Sequence, residues 1–173
     1  VHFLQPATLD SLHGALAETA AGGTAIHFLG HGIARPSGAA LFFEDRAGNA
    51  HGVAARDLVA PAGGRARLVF LNACESATTL ESPMSNAAYQ LALAGVPYAV
   101  GMQFKVPEVV ALRLSAVFYQ FLAQGHSVEH ALHEARRAVW ADGSLREVPR
   151  WNGGTVDYRA FALGIAVGHT GLA

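Results

Sequence analysis

Short, uninterrupted apolar runs alternate along this chain with segments of helical periodicity. Three runs, Ala25–Leu29, Ala66–Leu71 and Pro97–Phe104, have the length of a strand and are too short for a typical helix. Apolar residues repeat at helical spacing over Asn86–Ala94 and Pro107–Leu122. Strands that are apolar throughout are typical of a parallel sheet covered on both faces. The alternation therefore predicts an α/β fold with a mostly parallel sheet.

The other elements are predicted from turn residues, helix starts and shorter apolar patterns. They are a strand end at Val1–Leu4, a helix beginning near Thr8 or Asp10, a strand at Ala40–Glu44, a hairpin turn at Asp45–Asn49, a short helix at Val53–Val59, a helix from Ser127 to about Trp140, and a last apolar segment at Tyr158–Val167.

The composition indicates one compact domain. The chain has 173 residues, of which 51% are hydrophobic and 14% charged, and this is enough apolar material for one full core. We interpret residues 1–173 as a single domain and, because the sequence begins with Val1, as part of a longer chain. A net charge of -1 gives no electrostatic reason to expect nucleic acid or a membrane as a partner.

The cysteine count and the amino-acid composition suggest the compartment and the source of the chain. Cys74 is the only cysteine, so no internal disulfide can form, and a reducing compartment such as the cytoplasm is predicted. Eleven of the twelve basic residues are arginine, and alanine is abundant. This composition is typical of GC-rich bacterial genomes.

Two polar clusters follow predicted buried strands. Gly30-His31-Gly32 comes directly after the run that ends at Leu29, and Asn72 to Ser76, which includes Cys74, comes directly after the run that ends at Leu71. In open α/β sheets, functional groups gather at the carboxyl ends of strands. If the two strands are neighbours, both clusters lie on the same rim of the sheet.

A thiol and an imidazole on one rim point to nucleophilic catalysis. Cysteine attacks as the thiolate, which a nearby imidazole favours, and the imidazole then protonates the leaving amine. The tetrahedral oxyanion needs donors. The backbone N–H groups of Gly32, which has no side chain to block it, and of Cys74 are candidates.

These motifs resemble those of the CHAT domains, bacterial relatives of caspases and separases that are often encoded next to tetratricopeptide repeats. The resemblance rests on Leu-Gly-His-Gly at 29–32, Asn-Ala-Cys-Glu-Ser at 72–76, the strand end at 100–108, and two later helices. It implies a three-layer α/β/α sandwich of caspase type whose mostly parallel sheet can accept an antiparallel edge strand. It also implies a cysteine peptidase with His31 as general acid/base and Cys74 as nucleophile, working without a cofactor on a protein substrate.

The resemblance also implies a substrate pocket and a mode of control. Glu108 matches the acidic position that accepts a basic P1 side chain, and it is glutamate where the family usually has aspartate. Glu75, beside the nucleophile, is a second candidate for substrate binding. Control would come from tetratricopeptide-repeat or sensor modules elsewhere in the full-length protein.

Several alternatives stay open at this point. Cys74 could be an inert buried thiol, and Glu108 could be only an acidic residue that favours the start of a helix. His27, within an apolar run, is interpreted as structural. His126, His130 and His133 have spacings that resemble a metal face, but no completing ligand is evident, so no metal site is predicted. A catalytically silent interaction domain is the main functional alternative, and a small-molecule hydrolase or acyltransferase is a third.

Overall fold

The computed structural model describes residues 1–20, 23–35, 37–60, 65–73, 86–103, 106–149 and 153–169, with the backbone alone for 162–169. These residues form two compact units, Val1–Lys105 with Ala166–Ala173, and Val106–Ile165. The strands are β1 (Thr24–Gly30), β2 (Gly32–Ile33), β3 (Ala40–Glu44), β4 (Ala50–Ala54), β5 (Ala66–Ala73), β6 (Tyr98–Met102), β7 (Val148–Pro149), β8 (Thr155–Val156) and β9 (Ile165–His169). The α-helices are α1 (Leu9–Glu18), α2 (Ala87–Leu93), α3 (Glu108–Ala123) and α4 (Val128–Ala141).

The main sheet has the strand order β1-β5-β6-β9. β1 pairs with β5, and β5 with β6, in parallel. β5 is buried over most of its length because its side chains on both faces are covered, which explains the apolar run Leu68–Leu71 at its centre. The predicted α/β fold with a mostly parallel sheet is confirmed.

One face of this sheet forms a hydrophobic core with two helices. Leu12 and Leu16 of α1 and Leu91 of α2 belong to the same buried cluster as Val69 and Leu71 of β5. Thr8 begins α1 as the predicted cap, because its Oγ1 accepts the Ser11 N–H at 3.1 Å. Asn86 caps α2 through the Tyr89 N–H in the same way.

A second, antiparallel sheet follows β1. It has the order β2-β3-β4, and the turn between β3 and β4 lies at the predicted place. The Asp45 carboxylate accepts the backbone N–H groups of Ala47 and Asn49, both at 2.8 Å, and these bonds lower the pKa of Asp45. The side chain of Asp45 therefore fixes the turn that orders the hairpin.

Two sequence predictions in this unit are wrong. Val1–Leu4 is not a strand. Val53–Val59 is not one helix, because Val53 and Ala54 continue β4 and only Ala55–Leu58 form a short 3-10 helix. Val53 pairs with Leu41 and therefore belongs to the hairpin, although the apolar spacing of the segment is typical of a helix.

The second unit is built on a helical hairpin. α3 and α4 pack against each other, and Gly125 between them has a φ of +85°, which favours glycine. Ser127 caps α4 by accepting the His130 N–H at 3.2 Å. A short antiparallel pair, β7 with β8, and a 3-10 helix at Tyr158–Gly164 follow. Both predicted helices are therefore present, within two residues of their expected bounds.

Candidate active site

The register of β1 on β5 brings Gly30 and Asn72, the first residues of the two polar clusters, to one end of the sheet. Leu29 pairs with Asn72, and Gly30 pairs with Ala73. Position 31 directly follows Gly30 in the sequence, and position 74 directly follows Ala73. The expectation that the two strands are neighbours, with parallel carboxyl ends, is confirmed.

His31 lies at the end of β1 and is exposed. Its backbone carbonyl accepts the Phe42 N–H at 2.9 Å, and this bond ties the segment after β1 to β3. The imidazole is therefore carried by a backbone that is fixed on both sides of position 31. Cys74 and Glu75 lie outside the described residues, so the separation of the thiol from the imidazole stays a prediction.

The backbone at Gly32 has the orientation that a free donor needs. His31 and Phe42 form a hydrogen-bonded pair, and Gly32 opposite Leu41 is the next position of the antiparallel ladder. Because hydrogen-bonded and non-hydrogen-bonded pairs alternate, the Gly32 N–H points away from β3. The predicted oxyanion donor at Gly32 is compatible with this register.

Gly30 makes room for an aromatic ring beneath the site. A Cβ at this position would lie 3.0 and 3.1 Å from two carbons of the Phe28 ring. Phe28 packs against the core of the unit, with its ring 5.2 Å from that of Phe43. Glycine at position 30 therefore lets the end of β1 lie close to the Phe28 ring.

His27 lies within β1, four residues before His31, and has a different environment. Its ring stacks on Phe70 of β5, with centroids 5.1 Å apart and planes 8° from parallel. Although the residue as a whole is exposed, the covered part of the ring is desolvated, and this burial lowers the pKa of His27 from its ordinary 6.5. The stacking supports the interpretation of His27 as structural.

The lowered pKa of His27 predicts a loss of stability in mild acid. As the pH falls below about 6.5 the unfolded chain binds the proton first, so the free energy of unfolding decreases. His27→Phe keeps a ring on Phe70 and removes the titration. We expect its unfolding midpoint in urea to fall less between pH 7.5 and 5.5 than that of the unmodified chain. His2→Gln, at an exposed position, is the control and should leave the difference unchanged.

Glu108 is the first residue of α3 and is exposed. It follows Pro107 at the helix N-terminus, where the helix dipole favours a carboxylate. The position of Glu108 therefore agrees with the alternative that this residue only favours the start of a helix. Its predicted role in substrate binding stays a prediction, since Glu108 belongs to the second unit and His31 to the first.

A groove that the sequence did not predict reaches His31. It has a volume of about 690 Å³ and is lined by the N-terminal segment, α1, β1 and the β3–β4 hairpin. Its lining is mainly apolar, with Leu4, Phe28 and Phe42 among its residues. Because these segments are distant in sequence and carry no common motif, no local signal could have revealed the groove.

The histidines of the second unit do not complete a metal site in the described part of the chain, where no three His, Cys, Asp or Glu side chains gather. The His126 and His130 rings have centroids 4.6 Å apart and are tilted by 32°, and both rings contact Phe121. His133 instead lies 4.0 Å from Glu134. In the same described residues, no helix combines the length and the apolar character needed to cross a bilayer.

The family model of the CHAT domain matches residues 1–158. This range contains every candidate site residue and most of both units. No curated protein matches the chain.

Proposed function

Because this chain belongs to the CHAT domain family, which is related to the caspase-like cysteine peptidases, we propose that it is a cysteine endopeptidase with His31 and Cys74 as its catalytic dyad. The observation that carries the proposal is the pairing of Gly30 with Ala73. This pair ends two adjacent parallel strands, and the next residue on each strand is one member of the dyad.

The alternation of side chains along the strands supports a common face for the dyad. His27 and Phe70 stack on one face of the sheet, and positions 31 and 74 are each four residues further along the chain, directly after the last residues of β1 and β5. Because side chains two or four residues apart in a strand share a face, continued extension would direct the imidazole and the thiol to the same side. A dyad needs this arrangement.

The proposed reaction proceeds in two steps. The Cys74 thiolate attacks the peptide carbonyl carbon, and the oxyanion accepts hydrogen bonds from the backbone N–H groups of Gly32 and Cys74. His31, holding the proton of the thiol, gives it to the amine as the C–N bond breaks. Water, deprotonated by His31, then attacks the thioester, and the carboxylic acid product and the free thiol are released.

The proposal includes a preference for the substrate side chain at P1. A carboxylate that faces the P1 side chain favours Arg or Lys through charge and hydrogen bonding. Glu108 has the exposure that such a role requires. Glu75, next to Cys74 in the sequence, is proposed as a second substrate-binding acid. The natural substrate is proposed to be a protein segment in the same cytoplasm, with repeat or sensor modules of the full-length protein as partners that control access.

A peptide electrophile with Arg at P1 tests the dyad directly. The unmodified chain should be labelled at Cys74, and Cys74→Ala should not be labelled. His31→Gln should lose peptide labelling but still react with iodoacetamide at high pH, because the thiol remains and needs no base there. Labelling that survives Cys74→Ala would rule out the proposed nucleophile. An unlabelled chain that still reacts with iodoacetamide would favour a silent interaction domain.

The same electrophile with Asp at P1 tests the pocket. Arg at P1 should label faster, and Glu108→Gln should reduce this preference by at least about tenfold, since the basic side chain loses its charged partner. Glu129→Gln is a matched control, because Glu129 is likewise an exposed acid in the first turn of a helix. Equal rates for the two electrophiles with the unmodified chain would contradict the role of Glu108.

A further inference from the structure

The side of β1 that faces away from β5 is open in the described part of the chain, where β1 is the last strand of its sheet. Every residue of β1 from 24 to 29 lines the groove that reaches His31, whereas no residue of β5 does. Because successive side chains of a strand point to opposite faces, a groove that touches all of these residues runs along the edge of the strand. We call it the β1 edge groove.

Backbone hydrogen bonds at the two ends of β1 show which residues face this groove. The Thr24 N–H donates at 3.3 Å to the carbonyl of the residue before β5, and so points toward β5. The His31 carbonyl accepts the N–H of Phe42, which lines the groove, and so points to the other side. The one irregularity in the pairing adds a residue to β5 and leaves the alternation along β1 unbroken. The N–H and C=O groups of Ala25 and Leu29 therefore point into the groove.

The two sides of the groove differ in character. On one side lie Leu12 and Leu16 of α1 and Phe43 of β3, which belong to the hydrophobic core of the first unit. Phe28 of β1 packs against the same core, whereas Leu29, the next residue, is on the opposite face of the strand and is exposed. An extended segment beside β1 would therefore meet apolar side chains on one face and solvent on the other.

β1 also lacks the features that usually keep an exposed strand edge from pairing. Such edges carry charged side chains or proline, or bend at a bulge. The sequence Thr24–Gly30 contains no Lys, Arg, Asp, Glu or Pro, and the irregularity near its start belongs to β5. An edge of this kind is a template for a further strand.

We propose that the β1 edge groove binds an extended segment of a partner protein, which adds a strand to the sheet beside β1. The backbone of this segment exchanges hydrogen bonds with Ala25 and Leu29. Every second side chain of the segment is apolar and packs against α1 and Phe28. A second copy of the chain does not fit, because its own β1 edge lies along the floor of the same groove, and two recessed edges cannot reach each other.

Capped peptides of about eight residues, slightly longer than the edge, test the proposal. The first has Val at every second position with Thr or Gln between, and its isomer has the same residues with all Val in one block. Fluorescence anisotropy is measured with the whole 173-residue chain. The Kd of the alternating peptide should be at least about tenfold below that of the isomer, because only alternation places every Val on one face.

Backbone methylation separates strand pairing from simple apolar contact. Two further alternating peptides carry N-methyl groups on the odd-numbered or on the even-numbered residues. Each set of N–H groups lies along one edge of an extended peptide, and β1 can pair with only one edge. At least one of the methylated peptides should bind about tenfold more weakly or worse, since its hydrogen bonds to β1 are lost.

Ala25→Pro locates the binding site. The Ala25 N–H points away from β5, so proline there removes a donor from the groove and leaves the pairing with β5 in place. It should raise the Kd of the alternating peptide about tenfold. Ala20→Pro, at an exposed position after α1 and outside the groove, is the matched control and should leave every Kd unchanged. The peptides decide the matter on the unmodified chain even if Ala25→Pro does not fold.

Four results would overturn the proposal. They are no binding of the alternating peptide up to about 1 mM, equal affinity for this peptide and its isomer, an unchanged Kd with both methylated peptides, and a concentration-dependent dimer that Ala25→Pro dissociates. The last result would assign the groove to a second copy of the chain. Cys74→Ala should bind the alternating peptide like the unmodified chain, so docking at β1 and the proposed peptidase activity can fail separately.

Discussion

His31→Gln is expected to lower kcat/KM for peptide cleavage by roughly 10² to 10⁴-fold, the range in which a general acid/base contributes. Glutamine can still donate a hydrogen bond, but it cannot take the proton of the thiol or return it to the leaving amine. The measurement is the rate of hydrolysis of a fluorogenic peptide with Arg at P1, at saturating and at low substrate concentration.

His27→Gln is the matched control for this experiment. His27 is on β1, four residues before His31, and its ring is stacked on Phe70. We expect its kcat/KM to stay within a few-fold of the unmodified value, although its stability changes. If His27→Gln and His31→Gln lose activity equally, the loss comes from disturbance of β1, and the role of His31 as the acid/base is wrong.

The sequence predicted the strands of the candidate site but not how they align. The apolar runs ending at Leu29 and Leu71 are observed as β1 and β5, and each extends slightly beyond its predicted end. Their register could not be predicted, because it depends on how Phe28 and Leu71 pack across the sheet. A shift of one residue would place positions 31 and 74 on opposite faces.

Tertiary pairing explains the predictions that failed. Val53 has apolar neighbours at helical spacing, but its partner Leu41 in β3 holds it in a strand. Val1–Leu4 is apolar enough for a strand, but whether it forms one depends on a neighbouring strand with which it can pair. The groove that reaches His31 could not be predicted for the same reason, since it depends on segments that only the fold brings together.

The charge pairing on α4 follows from helical spacing. Glu134 is three residues before Arg137, a spacing that lets the two side chains meet, and two residues before Arg136, a spacing that does not. The structure has this pair, in which the Arg137 Nη1 donates to both carboxylate oxygens of Glu134. Only the packing of α4 shows that the Nε of Arg136 is buried without an acceptor in the described residues.

Leu71→Ala should reduce the free energy of unfolding by about 2–5 kcal/mol, the usual result of truncating a fully buried leucine. Leu71 is 0% exposed, lies in the core of the first unit, and precedes the proposed site on β5 by three positions. Its removal leaves a cavity between the sheet and the helices that cover it. Urea denaturation followed by circular dichroism gives the change from the midpoint and the slope.

Leu29→Ala separates burial from residue type in the same measurement. Leu29 is on the adjacent strand, one position out of register with Leu71, but it is 66% exposed. The same truncation there should change the free energy of unfolding by no more than about 0.5 kcal/mol. A comparable loss at both positions would mean that Leu29, and with it this face of β1, is covered in solution. A small loss at Leu71 alone would mean that β5 is not the buried strand that carries the chain to Cys74, and the proposed site would lose its structural support.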